Sequence, residues 1–134
     1  MIRFLEQKDM NNWISLYNAY AKFYKVPMNK EILKTLWRWI HDDCHIVNGI
    51  CYELKGKIVG IAHYRTMPRP IKGKYIGFLD DLFVDPDFRC QKIAQKLINY
   101  LESLSKDNNW DGIRWITHSS NENAKRLYLS LIHI

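Results

Sequence analysis

Two adjacent aspartates, Asp80 and Asp81, stand inside the apolar run "FLDDLFV" (78–84). Aspartate is depleted in strands, because its side chain solvates poorly there and competes for backbone hydrogen bonds. Phe78, Leu79, Leu82, Phe83 and Val84 bracket the pair, so at least one carboxylate is expected to lose part of its water. Desolvation raises a carboxyl pKa toward the range useful for accepting protons. Successive strand side chains point to opposite faces, which predicts one carboxylate in a cleft and the other on the opposite surface or in a loop. A solvated strand end is the structural alternative, and the residues alone leave both readings open.

Just beyond, Asp85-Pro86 ends the run and "RCQKIA" (89–94) opens a helix. Free N–H groups at a helix start, with Arg89 and Lys92 nearby, make an anion site. "NENAKRLY" (121–128) reads as a capped amphipathic helix with Ala124, Leu127 and Tyr128 inward. A tyrosine at such a position is ordinarily core, although its phenol carries a titratable proton. "HDDCH" (41–45) has metal-ligand residue types, but it follows a helix in a turn and reads as structural or solvated. Cys44 has no evident base partner and is not read as a nucleophile. Trp37, Trp39, Trp110 and Trp115 read as core and rim rather than a stacking platform.

The elements that must position these groups follow from periodicity. "IRFL" (2–5) is a short strand. From Asp9, taken as an N-cap, apolar residues recur at Trp13/Ile14, Tyr17, Tyr20/Ala21 and Tyr24 with helical spacing. Asn29 caps a second helix carrying Ile32/Leu33, Leu36/Trp37 and Ile40 on one face. "HIVNGICYEL" and "KIVGIAHYRTM" form a hairpin around "KGK", and a third long strand covers 75–84. Ile93/Ala94, Leu97/Ile98, Leu101 and Leu104 mark the next helix, "GIRWIT" (112–117) a further strand, and "NENAKRLYLSL" a final helix. The order β-α-α-β-β-β-α-β-α predicts an α+β (layered α/β) domain with a mixed, largely antiparallel central sheet flanked by helices.

At 134 residues the chain reads as one domain, 1–134. Its N-terminus has no apolar signal region, and no apolar run reaches the roughly 18 residues that span a bilayer. Three cysteines without CxxC spacing argue against a disulfide framework or a zinc site. A cytoplasmic location without a membrane partner is therefore expected. The net charge of +6 is spread along the chain, with no basic helix or helix-turn-helix; nucleic acid is disfavoured and an anionic small ligand explains the charge as well. A homodimer is left open.

Taken together, "LDDLFVDPDFR", "RCQKIA" and "NENAKRLY", in this order, make the chain resemble the GNAT superfamily of acyl-CoA-dependent N-acetyltransferases up to about Tyr128. "LYNAYAKFYKVPM" and "RWIT" bring it near the branch that acetylates polyamines, D-amino acids and related small amines. The resemblance implies that the strands 75–84 and 112–117 splay apart around acetyl-CoA. Leu82, Phe83 and Val84 would then pair with the pantetheine arm through their backbone. The loop Arg89, Cys90, Gln91, Lys92, Ile93, Ala94 and Gln95 would hold the pyrophosphate, and Asn121 and Ala124 would orient the cofactor. Lys92 stands where the family motif has glycine, and Cys90 where glycine is also common. Glycine permits close approach and positive φ; Lys92 offers charge in exchange.

The resemblance further implies that Asp80 is the general base and Tyr128 the general acid near the thioester sulfur, while Asp81 and Tyr24 bind the substrate. No metal is implied. The implied activity is transfer of the acetyl group of acetyl-CoA to a primary amine of a small cationic substrate. A protein or peptide N-acetyltransferase and a non-catalytic CoA-binding module are the alternatives, the latter suggested by the altered loop. Family members continue past Tyr128 into two further strands, so the domain reads as C-terminally incomplete, either truncated or with "LSLIHI" as a foreign tail in place of the native end.

Overall fold

The computed structural model describes residues 1–116. Asn121, Ala124, Tyr128 and the expected last helix lie outside these residues. Five strands form one sheet in the order β1 (Ile2–Phe4), β2 (Val47–Leu54), β3 (Lys57–Arg69), β4 (Lys74–Val84) and β5 (Ile113–Trp115). Neighbours are antiparallel except β4 and β5, which are parallel. Helices α1 (Met10–Phe23) and α2 (Lys30–Ile40) precede β2, and α3 (Ile93–Asp107) links β4 to β5. The α+β class, and the order of elements as far as β5, are those read from the sequence, although the described strand β5 covers only Ile113–Trp115 of the expected 112–117.

The sheet is covered on both faces. Trp13 and Leu16 of α1 and Leu33 and Trp37 of α2 pack on Cys51, Ile58, Ile61 and Phe83. On the opposite face, Ile93, Leu97, Ile98 and Leu101 of α3 pack on Val59, Leu79 and Val84. Those four α3 side chains are almost wholly buried, each contributing about 1.5–3 kcal/mol by leaving water. Gly60 on β3 allows this approach: a Cβ there would lie 3.0 Å from Ile93 and 3.3 Å from Leu97. The helix start is thereby held against the end of β4, which pairs with Gly60 at Val84.

Local signals explain most boundaries. Asn29 caps α2 by accepting a hydrogen bond from the Ile32 amide at 2.9 Å. The hairpin between β2 and β3 is a two-residue turn with positive φ at both Lys55 and Gly56, the geometry that matches strand twist. Asp9 behaves differently from expectation. It occupies the N-cap position of α1 but makes no side-chain cap bond. Its carboxylate is taken by Arg3 in two hydrogen bonds of 2.7 and 2.9 Å, and by the Glu6 amide. A bidentate guanidinium is a stronger partner than one helix amide, and the Arg3 contact holds the Asp9 carboxyl below its ordinary range despite burial.

Candidate active site

The register of β3 and β4 changes at the aspartates. His63 lies opposite Asp81, and Tyr64 lies opposite Leu79, so Asp80 is an extra, unpaired residue. Such a β-bulge interrupts alternation and re-aims side chains. Leu79 therefore packs on the α3 face, while Phe83 packs under α1 and α2. Asp80 and Asp81 both line one cavity on that second side. The expectation that the two carboxylates point to opposite faces is corrected here, because strict alternation holds only where no residue is inserted.

Asp81 is held by a buried chain of hydrogen bonds. Trp13 Nε1 donates to His63 Nε2 at 2.9 Å, His63 Nδ1 lies 2.8 Å from Asp81 Oδ2, and Tyr17 Oη donates to the same oxygen at 3.0 Å. An indole nitrogen can only donate, so His63 Nε2 accepts and its single ring proton sits on Nδ1, facing Asp81. Burial pushes the Asp81 carboxyl up, but the hydrogen bonds from His63, Tyr20 and Tyr17 outweigh it and leave the carboxyl below its ordinary range. In turn, burial and the Asp81 charge raise the Tyr17 phenol well above its ordinary value, which keeps it a donor.

Asp80 has the opposite character. Its partial burial raises the carboxyl above its ordinary range, with Arg65 as the main opposing influence and Asp81 pushing the same way as burial. Arg65 Nε stands 3.2 Å from Asp80 Oδ2, but this nitrogen makes no hydrogen bond, so the contact is a charge pair rather than a directed bond. Two neighbouring carboxyls thus have pKa values pushed apart, the pattern expected where acid–base roles divide.

The cavity, about 640 Å³ and open to solvent, is completed by Glu31, Ile32, Thr35, Leu36 and Trp39 of α2, Tyr17 of α1, and Val47 at the start of β2. Its size suits a small molecule. Trp39 reaches the rim, stacked on His45 at 4.7 Å. Tyr24 is not part of this wall. It is the C-cap residue of α1 and packs at a tilt against Tyr20, which in turn meets Phe83.

On the other side of the carboxylates, pairing between β4 and β5 runs from Gly77/Ile113 to Leu79/Trp115. Among the described residues, Asp80 to Val84 have no strand partner on that edge. Asp85 closes the following turn by accepting from the Asp87 amide at 3.0 Å, and a 3₁₀ segment, Pro86–Gln91, leads to α3. Lys92, the residue before α3, has φ 58° and ψ 28°, the left-handed region that glycine enters without steric cost. The amides of Ile93, Ala94 and Gln95 lie in the first turn, where helix geometry leaves N–H groups free. Arg89 is turned away from this loop, toward the sheet. Its Nε donates to Val84 O at 3.3 Å and its guanidinium lies over the rings of Phe23 and Phe83. The open strand edge, a loop with left-handed backbone and free helix amides together fit an extended arm ending in a pyrophosphate.

Residues 13–131 match the acetyltransferase (GNAT) family. The chain belongs to that family. GNAT acetyltransferases use acetyl-CoA, and this chain is accordingly an acetyltransferase. It is 24% identical to the D-amino-acid N-acetyltransferase HPA3 of Saccharomyces cerevisiae over 135 aligned residues, covering 99% of this chain and 84% of the yeast protein. Among solved structures it resembles a ribosomal-protein-alanine N-acetyltransferase from Brucella melitensis biovar Abortus 2308, with a TM-score of 0.81, 21% identity and coverage of 98% and 90% of the two chains. An aminoglycoside acetyltransferase from an uncultured soil metagenomic sample, solved with sisomicin, gives a TM-score of 0.79 at 17% identity, covering 97% and 85%. These structural likenesses establish the fold.

Trp13, Tyr17, His63 and Arg65 are site residues that the sequence alone does not single out. The inserted residue shows in the packing instead: Leu79, Leu82 and Val84 share one face although the first two are three apart.

Proposed function

We propose that this GNAT acetyltransferase transfers the acetyl group of acetyl-CoA to a primary amine of a small cationic substrate held in the cavity beside Asp80 and Asp81. The observation that carries this reading is the bulge, which turns both carboxylates into one small-molecule-sized cavity at the strand end left unpaired by β5.

An alkylammonium has a pKa near 10.4 and attacks only after losing a proton. Asp80, with its raised carboxyl, accepts that proton directly or through water. Asp81, kept ionised by His63, Tyr20 and Tyr17, attracts the cation and holds it beside Asp80. Acetyl-CoA supplies the thioester carbonyl. Backbone groups of Leu82, Phe83 and Val84 would hold the pantetheine as an added strand, with the β4 amides polarising the carbonyl. Lys92 and the amides of Gln91, Ile93, Ala94 and Gln95 would hold the pyrophosphate. Tyr128, carried over from the family motif and outside the described residues, would protonate the leaving thiolate. The ammonium loses two protons in all: one leaves through Asp80, and the other balances the proton gained by the thiol. The new N–C bond replaces the C–S bond.

Turnover of acetyl-CoA against polyamines, amino acids, aminoglycosides and basic peptides tests this reading. Acetylation of small amines is expected. Turnover confined to peptides would favour a protein-directed enzyme instead.

A further inference from the structure

Among the described residues, the wall of the acidic cavity carries one arginine, Arg65, whose Nε is buried without a hydrogen bond. Arg65 projects from β3 into the cavity wall, with its side chain 39% exposed. The guanidinium lies over the Phe78 ring, its central carbon 5.1 Å from the ring centroid. Nε faces Asp80 Oδ2 at 3.2 Å without a hydrogen bond. Among the described residues, Asp80 is the ion-pair partner of Arg65. A guanidinium presents a rigid fork of donors matched to a carboxylate, and this one lies over Phe78 in the cavity wall, partly exposed.

We propose that Arg65 binds the carboxylate of the acceptor, so that the substrate is a free amino acid rather than a polyamine or a peptide N-terminus. The inference rests on the reading of this cavity as the acceptor site. In an α-amino acid one carbon separates the ammonium from the carboxylate, so recognition needs a negative and a positive group side by side. Asp80 and Arg65 supply that pair. A polyamine gives the guanidinium nothing to bind and sets a second cation next to it. An arriving carboxylate also draws Arg65 away from Asp80, leaving Asp80 the better proton acceptor for the amine held beside it. The apolar wall of Ile32, Leu36 and Trp39 offers surface to a side chain.

The test compares matched acceptors with the whole protein and acetyl-CoA, read as CoA release together with acetylated product. Phenylalanine is set against phenylalaninamide and phenethylamine, and lysine against 1,5-diaminopentane, with both enantiomers of each amino acid. The amino acid is expected to exceed its amide and amine in kcat/KM by at least about tenfold, since a donor fork left without its anion is costly. In Arg65→Gln that ratio should fall to about one, and Arg65→Lys, which keeps charge but not the fork, should lie between. Equal or faster turnover of amines and amides by the wild-type chain would overturn the carboxylate assignment while leaving small-amine acetylation standing. An unchanged ratio in Arg65→Gln would also overturn it. Turnover of none of these acceptors would overturn the carboxylate assignment, and failure of polyamines and aminoglycosides as well would overturn both.

Discussion

The indole Nε1 of Trp13 lies 2.9 Å from His63 Nε2, and this contact decides how Asp81 is presented to the cavity. With Nε2 occupied as an acceptor, the imidazole proton faces Asp81 at 2.8 Å. A tryptophan on α1 therefore sets the hydrogen bonding of a carboxylate on β4 through a histidine on β3.

Trp13→Phe removes the donor and leaves a buried imidazole acceptor without a partner. Folding stability should fall by roughly 1–3 kcal/mol in urea unfolding. Nitrogen-15 spectra of His63 should show the Nδ1–H tautomer in the wild type and lose that single state in the variant. An Nε2–H tautomer in the wild-type protein would refute the assigned direction of the chain.

Asp81 makes stability depend on acid in a defined sense. Its carboxyl is lower in the folded protein than its ordinary value, because the His63, Tyr20 and Tyr17 hydrogen bonds outweigh burial. Its contribution is thus complete above the ordinary carboxylate value and is lost as pH falls through the folded one. Asp80 is shifted the other way and remains in both proteins of the comparison. Between about pH 5 and pH 2, wild-type stability should fall more steeply than that of Asp81→Asn. Parallel curves would mean that the network does not favour the ionised carboxyl.

How far the sequence reveals this site is shown by contrasting α3 with the bulge. The face Ile93, Leu97, Ile98 and Leu101 is buried as its helical spacing predicts, because a regular helix turns periodicity directly into packing. The cap by Asn29 is likewise legible, since it depends on residues three apart in one segment. Asp9 misleads because its partner, Arg3, comes from a neighbouring strand. Both aspartates are recognisable as chemical groups, but their shared orientation depends on the register of β3 against β4, a relation between segments. His63 stays hidden for the same reason: its meaning comes from Trp13, 50 positions earlier, and Asp81, 18 positions later.

Lys92 allows backbone and charge to be separated. Its left-handed conformation costs a residue with a Cβ about 1–2 kcal/mol, partly offset because glycine loses more chain entropy on folding. Lys92→Gly should gain up to about 1 kcal/mol in urea unfolding, while Lys92→Ala should gain none. If the ammonium attracts the pyrophosphate, both variants should weaken CoA binding in calorimetry, most at low salt, with glycine binding at least as well as alanine. CoA affinity untouched in both would place the lysine side chain away from the phosphates.

In the proposed reaction the bulged carboxylate Asp80 takes the proton from the acceptor amine, and kcat of Asp80→Asn with a saturating small-amine substrate measures this most directly. General-base removal should lower kcat by about a hundredfold or more, with CoA affinity nearly unchanged because the cofactor would lie along Leu82, Phe83 and Val84 instead. Turnover close to wild type across pH 7–9 would contradict it.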